Sequence, residues 1–393
     1  MLFEERREAE DVVGRGGELS SPLTPNAFPV PLTLCVPHVS IARHGKICAE
    51  EIMRVTRTLF LLLLVTVGMA SCGAMAQALE KSRITLAVGG KSLFYYLPLT
   101  IAERRGYFKD EGLTVEIVDF AGGAKSLQAM VGGSADVVSG AYEHTINMQA
   151  KGINIVAIVL EGRYSGIVLG VHKNKITQYK SPRDMKGWKI GVTAPGSSTN
   201  MFVSNLLGKD GLKPDAVSII GVGATAGAVA AMRKGEIDAI SNLDPVIARL
   251  EASGDIIVVA DSRTARGMKD IYGGAYHAGC IYALTDWVKK NPNTAQAVVN
   301  AMVRAVRWLQ KARPEEVVAT VPAEYYGDDP TMYKFALLKN MEGYSPDGLF
   351  TMQGAQNVYK VLNSFEPTVQ AAKIDLARTY DNSFAQKALK KYK

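Results

Sequence analysis

Short apolar runs separated by glycine turns dominate the chain between residues 84 and 171. The runs at 84–88 and 153–160 are almost continuously apolar, a pattern typical of strands that are buried on both faces. A helix is predicted over 94–105, where Gly106 ends it. Because such strands alternate with helices, the pattern predicts a parallel α/β sheet.

The same order of strands and helices restarts near residue 189, with strands predicted at 189–192, 217–221 and 237–240. Five residues of the first copy recur 102 positions later in the second. Ala129, Met130, Gly133, Asp136 and Ser139 match Ala231, Met232, Gly235, Asp238 and Ser241. One offset for five matches predicts two lobes of the same design.

From residue 287 onward the pattern is helical almost to the end of the chain. Val298, Met302 and Ala305 fall on one face of a predicted helix. We expect this C-terminal segment to pack around the first lobe and to brace it.

A basic and then apolar stretch that begins at Met53 predicts an export signal. Its apolar core is shorter than the ~20 residues that span a bilayer, and an Ala-Met-Ala cleavage site follows at 74–76. We therefore expect a signal peptide over 53–78, a periplasmic mature protein, and a disordered leader or a mistaken start over 1–52. Cys72 lies in a lipobox-like segment, so lipid anchoring is the alternative.

Composition narrows the class of protein. Hydrophobic residues make up 47% and charged residues 21% of the 393 residues, which fits neither a disordered chain nor a polytopic membrane protein. The net charge of +7 is scattered, so we expect no nucleic-acid partner and an attraction for small anions. Only Cys280 follows the signal peptide, and the histidines lack metal spacing. No disulfide, metal, cofactor or catalytic set is expected.

The loop at 194–199 carries the chemistry that we expect to bind a ligand. It follows a predicted strand, opens a predicted helix and presents Gly196, Ser197, Ser198 and Thr199. The free N–H groups and the positive end of the helix dipole favour an anion there. Because one N-cap needs only one hydroxyl, three in a row favour ligand binding over capping alone.

Two further segments, 139–144 and 241–245, follow equivalent strands of the two copies. Ligands of open α/β sheets bind beyond the carboxyl ends of strands, so we expect these segments on opposite walls of one cleft. Ordinary helix-start chemistry is the alternative for both segments.

Four more side chains are candidates for this cleft. Ser92 follows a glycine turn that lacks the first glycine of a P-loop, so no nucleotide is expected there. Tyr95 and Tyr276 would stack on a ligand or else belong to the core. Arg163 would pair with a carboxylate or sulfonate, or else lie solvated in its turn.

Segments 95–113, 133–137, 235–239 and 380–384 resemble, in order and spacing, hallmarks of a known family. The chain from 83 to 393 resembles the ABC-transporter substrate-binding proteins of the nitrate/sulfonate/taurine type. These proteins have the type II periplasmic binding protein fold, so the resemblance implies two α/β lobes joined by a hinge. Lobe one would comprise 83–171 and 276–393, and lobe two would comprise 172–275.

The resemblance also implies a function. A monomer without cofactor or catalysis would capture a small anionic solute (a sulfonate, a taurine-like solute or an aromatic carboxylate) and deliver it to a membrane permease. The alternatives are a metal-free enzyme on the same fold, such as a thiamine-pyrimidine or chorismate-processing relative, and an exported sensory domain. The expected solute-binding residues are Ser92, Tyr95, Ser139, Gly140, Ala141, Tyr142, Arg163, Gly196, Ser197, Ser198, Thr199, Asn242, Asp244 and Tyr276.

Overall fold

The computed structural model describes residues 78–392. The predicted leader, Cys72 and all but the last residue of the predicted signal peptide therefore lie outside the described residues. Within 78–392, no helix has the length and apolar character that crossing a bilayer requires.

Between residues 78 and 392, ten strands form two five-stranded sheets. The strands are β1 Arg83–Val88, β2 Thr114–Asp119, β3 Val137–Ala141, β4 Ile155–Leu160, β5 Val168–His172, β6 Lys189–Val192, β7 Ser218–Gly221, β8 Ala239–Asn242, β9 Ile256–Asp261 and β10 Gly279–Leu284. The first sheet has the order β2-β1-β3-β10-β4, and the second has the order β7-β6-β8-β5-β9. The two orders are equivalent strand by strand, so the predicted duplication is confirmed.

Each sheet is mixed, whereas the sequence pattern predicted parallel sheets. β1 pairs in parallel with β2 and β3, but β10 runs antiparallel to β3 and β4. In the second sheet β5 runs antiparallel to β8 and β9. Each antiparallel strand is the first one after the chain crosses between the lobes, so its direction is set by the crossing and not by its own residues.

In the part of the chain that the structure describes, fifteen α-helices cover the sheets. They are α1 Leu97–Arg104, α2 Tyr107–Asp110, α3 Gly123–Val131, α4 Glu143–Ala150, α5 Ser198–Lys209, α6 Ala226–Arg233, α7 Val246–Ala252, α8 Ala265–Tyr272, α9 Thr285–Lys290, α10 Pro292–Leu309, α11 Pro314–Thr320, α12 Pro330–Asn340, α13 Met352–Phe365, α14 Pro367–Ala371 and α15 Ser383–Lys391. Short 3₁₀ turns include Phe94–Tyr96, which precedes α1.

The chain crosses between the lobes twice, at 161–167 and at 262–278. β5 belongs to the second sheet, so the expected lobe boundary at 171–172 falls several residues too late. The two crossings are bonded to each other. The hydroxyls of Ser165 and Ser262 lie 2.6 Å apart, and Ala278 N–H donates to the Gly162 carbonyl at 3.0 Å. The paired crossings form the hinge.

The C-terminal helices brace lobe one, as the pattern predicted. The predicted apolar face of α10 is fully buried, and α10 packs against α1, α2 and α15. Helix α12 also reaches lobe two, because Asn340 at its end donates to Asp244 Oδ2 at 2.7 Å. The segment thus contacts both lobes, which the sequence pattern did not indicate.

The two aspartates of the repeat make the same bond in both lobes. Asp136 Oδ2 accepts from Thr85 N–H at 2.8 Å, and Asp238 Oδ2 accepts from Lys189 N–H at 2.8 Å. Each carboxylate therefore ties the start of a strand to the neighbouring β1 or β6. This shared bond explains why an acidic residue precedes the strand in both copies.

We predict that Asp136→Ala and Asp238→Ala each lower the free energy of unfolding by about 1–3 kcal/mol, because each leaves a backbone N–H without its acceptor. Asp136→Ala should cost more, since Asp136 also accepts from Lys81 and Trp287. Urea unfolding measures both effects, with Asp215→Ala at an exposed position as the control. A cost equal to that of the control would contradict the shared role.

Candidate interlobe binding site

The carboxyl ends of the strands in the two sheets face each other, and backbone groups bond directly across the gap. Phe94 N–H donates to the Asp244 carbonyl at 3.0 Å, and Ala124 N–H donates to Ser197 Oγ at 3.0 Å. In both bonds the donor belongs to lobe one and the acceptor to lobe two. The strand-end loops of the two lobes are therefore in direct contact across the gap.

Gly122 lies at one of the points where the two lobes approach each other closely. A Cβ atom at this position would lie 2.9 Å from Ala194 Cβ and 3.0 Å from Ala194 N. The φ angle of Gly122 is −176°, an extended conformation open to any residue. Glycine is needed here for space and not for backbone freedom.

In the loop at 194–199, the sequence favoured ligand contact over a helix cap for the hydroxyl groups. The Ser197 side chain instead bonds lobe one. Ser197 is the N-cap residue of α5, but its side chain makes no capping bond and instead accepts from Ala124 of lobe one. Thr199 Oγ1 accepts from Thr193 N–H at 3.1 Å, within the loop. The first N–H groups of α5 thus lack a side-chain cap, and the positive end of the helix faces the gap.

The opposite wall, which α4 and Tyr95 provide, is rich in buried polar atoms without partners. Within the described residues, six buried side-chain nitrogen or oxygen atoms have no hydrogen-bond partner. Four of them lie on this wall: Tyr95 OH, Glu143 Oε2, His144 Nε2 and Asn147 Oδ1. Because unpaired buried polar groups are costly and rare, such a concentration marks a candidate binding surface.

Glu143, the first residue of α4, is only 1% exposed. Its Oε1 accepts from Tyr276 OH at 3.1 Å, while its Oε2 has no partner. Burial raises the pKa of this carboxyl to about 7. The ring of Tyr276 stacks on Tyr272 with centroids 4.0 Å apart, so an aromatic wall flanks the carboxyl group.

Glu161 is a second buried carboxyl group, at the end of β4. Ser139 Oγ donates to both of its oxygens, at 2.9 and 3.1 Å. Burial raises the pKa of Glu161 to about 8. Neither Glu161 nor Glu143 forms an ion pair with any residue in 78–392, so this end of lobe one has acidic groups without a counter-charge.

His144 follows Glu143 and lies between lobe one and the α5 loop. Its Nδ1 is 2.9 Å from Tyr282 OH, and burial lowers its pKa to about 4. The ring is therefore neutral at physiological pH and offers no positive charge. His144 and Asn147 line a cavity of ≈ 580 Å³ together with Gly196 and Asn200 from lobe two.

The structure brings several of the sequence-predicted residues to the gap. Ser92 lines a groove that lobe two completes with Ala224 and Thr225. Tyr95 supplies an unpaired hydroxyl, and Tyr276 reaches Glu143. The loop residues Gly196, Ser197, Ser198 and Thr199 form the opposite wall. Their contact with a solute stays a prediction.

Other predicted residues have partners away from the gap. Tyr142 OH lies 2.5 Å from Thr379 Oγ1, and its ring packs near His277 and Phe350. Exposed Arg163 donates from Nε to the Glu342 carbonyl at 3.0 Å. Direct solute contact by these two side chains stays a prediction.

The strand-end residues are also engaged within the protein. Ser139 bonds Glu161, Ala141 pairs with Gly279, and Gly140 packs under Tyr282. Asn242 donates to the Gly223 carbonyl at 3.1 Å. Asp244 accepts from Ala248 N–H with Oδ1 and from Arg263 and Asn340 with Oδ2, so both of its oxygens are occupied. Their contact with a solute stays a prediction as well.

Sequence reasoning placed Glu143 in the segment 139–144 at the cleft but not among the expected solute-binding residues, and it missed Asn147 and Glu161. A signal was present for two of them, because Glu161 comes directly after β4 and Glu143 comes two residues after β3, both at carboxyl ends of strands. His144 was interpreted as a structural histidine, and the structure places it beside Gly196 and Asn200 of lobe two.

The chain is similar to a known protein family and to proteins of known structure. The profile of the NMT1-like family matches residues 77–323. A solved structure from Bordetella bronchiseptica RB50 is 56% identical with a TM-score of 0.79, over 80% of this chain and 99% of that one. The nitrate/nitrite binding protein NrtA of Nostoc sp. is 24% identical over 245 residues, which cover 57% of this chain and 53% of that protein.

A more distant structure shows the shared fold. The alkanesulfonate-binding protein SsuA from Xanthomonas axonopodis pv. citri, bound to MOPS, is 18% identical with a TM-score of 0.63. The match covers 78% of this chain and 100% of that chain. The periplasmic binding protein fold that the sequence predicted is thereby confirmed.

We predict that the free energy of unfolding falls as the pH rises from about 6.5 to about 8. Burial holds Glu161 protonated in the folded protein up to a pH of about 8, whereas its ordinary pKa is 4.5. Folding therefore binds a proton in this range, and raising the pH costs up to about 1.4 kcal/mol per pH unit. Urea unfolding at several pH values measures the slope.

Glu161→Gln should flatten this slope between about pH 7 and pH 8, because the side chain no longer titrates. Below pH 7 buried Glu143, whose pKa is raised to about 7, still contributes a slope of the same sign. Glu116→Gln, at an exposed position, is the matched control and should keep the wild-type slope. An unchanged slope in Glu161→Gln would show that the buried carboxyl group is not the source.

Proposed function

The chain belongs to the NMT1-like family, and we propose that it is the solute-binding subunit of an ABC importer. It captures a small solute between its lobes and presents the closed form to a membrane permease. The observation that carries the proposal is the pair of hydrogen bonds that join the opposed strand ends across the gap. A solute that touches both walls stabilises this form over an open one.

The solute in this proposal carries an acidic group, as in a sulfonate, a taurine-like solute or an aromatic carboxylate. The uncapped start of α5 supports it, because the N–H groups and dipole of a helix N-terminus favour an anion. The names of the nitrate/nitrite and alkanesulfonate binding proteins support the same class. The guanidinium of Arg263 does not serve this role, since Asp244, Glu251 and Asp261 already surround it.

Export to the periplasm and action as a monomer belong to the same proposal. The support for export is the predicted signal peptide at 53–78, together with a body whose fold is that of periplasmic binding proteins. An enzyme on this fold is the alternative, and the fate of the solute separates the two. A binding subunit returns its solute unchanged, whereas an enzyme converts it.

We predict one saturable solute site in the mature protein, from residue 79 onward, when sulfonates, aromatic carboxylates and nitrate are screened by thermal shift. A solute at about 100 times its Kd stabilises the folded protein by about 2.7 kcal/mol, which is a shift of several degrees in Tm. Mass spectrometry of the released solute should show it intact. Conversion of the solute would favour the enzyme.

Gly122→Ala tests whether binding requires closure. The added Cβ would meet Ala194, so solute affinity should fall about tenfold or more while the isolated lobes keep their folds. Gly208→Ala is the matched control, because a Cβ there meets nothing within 4 Å. Equal affinities in the two variants, measured by titration calorimetry, would contradict the closed form as the bound form.

A further inference from the structure

Lobe one bonds Asp244 of lobe two with both a backbone and a side-chain donor. Phe94 N–H donates to the Asp244 carbonyl at 3.0 Å, and Asn340 Nδ2 donates to Asp244 Oδ2 at 2.7 Å. Asp244 is fully buried, and Asn340 is buried as well. The side-chain bond comes from helix α12, which lies outside the strand-end loops, so Asn340 can hold the lobes together without being a wall of the gap.

Lobe two holds the Asp244 carboxylate in place by itself. Oδ1 accepts from Ala248 N–H at 2.9 Å, and Oδ2 lies 3.2 Å from Arg263 Nη1. Arg263 is fixed in turn by Glu251 and Asp261. When the lobes separate, the carboxylate keeps these partners. Loss of the bond to α12 therefore leaves no buried charge unpaired, which would otherwise make separation costly.

Lobe one holds the Asn340 amide in place in the same manner. Asn340 Nδ2 also donates to the Ala336 carbonyl inside α12, at 2.8 Å. Its Oδ1 lies against the first crossing, since a Cβ atom at Gly166 would be 3.2 Å away. The helix itself rests on lobe one, where the rings of Tyr333 and Phe94 pack edge to face with centroids 4.6 Å apart. Donor and acceptor are both pre-organised, so forming the bond costs little further ordering.

The bond between the α12 amide and the lobe-two carboxylate differs in type from its neighbours. An N–H group that donates to a carboxylate forms a bond roughly twice as strong as one between neutral groups. The bond from Ala124 to Ser197 is of the neutral kind. Lys339 and Glu251 pair across the lobes at 3.6 Å, but the lysine is half exposed, and exposed ion pairs contribute little. Removing the amide should therefore affect the contact between the lobes more than removing either neighbour.

We propose that the Asn340–Asp244 bond is a latch that sets the balance between contact and separation of the lobes. Asn340 is then a positioning residue, which acts through Asp244 and need not touch a solute. This inference rests on the proposed function and adds a control to it. Because a captured solute is held only while the lobes are in contact, a helix of the C-terminal segment would govern how tightly the solute is held.

The test measures the separation of the lobes in the mature protein, without added solute, by pulsed electron paramagnetic resonance between nitroxide labels. The labels are attached at Glu116→Cys in lobe one and Asp215→Cys in lobe two, both exposed positions. They lie on or beside β2 and β7, the sheet edges opposite β4 and β9, so rotation about the crossings moves them apart. Cys280 is fully buried and should escape labelling.

We expect two label distances, one for contact and one for separation. Asn340→Ala should lower the ratio of contact to separation about tenfold, because the charge-assisted bond is lost. Asn340→Leu keeps the side-chain volume but not the donor, so it should lower the ratio equally, and it replaces Asn340→Ala if that variant fails to fold. In an Asp244→Ala background, Asn340→Ala should have no further effect, because the acceptor is already gone.

Asn382→Ala is the matched control. This asparagine also makes two side-chain bonds, but both join it to the backbone of Phe350 within the C-terminal segment. Its loss should leave the ratio of contact to separation at the wild-type value.

The inference is overturned if the wild-type lobes are separated throughout, or if both Asn340 variants keep the wild-type ratio. An equal fall in Asn382→Ala would show a general loss of stability instead of a latch. A fall in Asn340→Ala but not in Asn340→Leu would show that packing holds the lobes, and a further fall in the Asp244→Ala background would show that Asn340 does not act through Asp244. Each of these results leaves the proposed function standing, since the thermal-shift screen decides it separately.

Discussion

The two hydrogen bonds that cross the gap between the lobes are the interaction on which the rest of the structure depends. Phe94 and Ala124 donate from lobe one to the Asp244 carbonyl and Ser197 Oγ of lobe two. Asn340 of α12 and Arg249 of α7 add further bonds between the lobes, to Asp244 Oδ2 at 2.7 Å and to the Tyr325 carbonyl at 3.2 Å. A net hydrogen bond contributes about 0.5–1.5 kcal/mol, so each of these bonds stabilises the contact between the lobes only modestly. Closure of this kind is weak enough for a solute to decide it, which is what a capture protein requires.

The hinge allows such closure without cost to either sheet. Each crossing joins a parallel strand of one lobe to the antiparallel strand of the other, and the crossings bond to each other through Ser165 and Ser262. The lobes can therefore rotate about a bonded pair of segments while both sheets stay intact. On one side of the gap, α4 carries buried polar atoms without hydrogen-bond partners. On the other side lie the backbone N–H groups at the start of α5, which have no side-chain cap.

Local pattern was sufficient to predict most strands and helices. The strand over 189–192 was predicted with both of its bounds, because an apolar run between glycine-rich turns leaves little freedom. The 102-residue offset predicted the duplication, since the two aspartates make equivalent bonds in the two lobes. The antiparallel directions of β5 and β10 were not predictable, because the residues of a buried strand are the same in either direction.

The sequence predicted the candidate site only at the loop whose residue types are unusual. The loop of Gly196 and Ser197 stood out through its glycine and hydroxyls, and it does reach the gap. Tyr142 and Glu143 are neighbours at the start of α4, yet the tyrosine turns toward Thr379 and the carboxyl group toward Tyr276. Which neighbour faces the gap depends on packing against the C-terminal helices and the hinge, and this is not encoded in the local sequence.

Amide hydrogen exchange at Phe94 and Ala124 tests the central claim most directly, because their N–H groups span the gap. With the solute identified by thermal shift, we expect exchange at both amides to slow about tenfold or more. The Ala157 amide, bonded to the Thr379 carbonyl inside lobe one, should keep its rate in the same samples. Identical exchange at Phe94 and Ala124 with and without solute would contradict closure of the lobes on a captured solute.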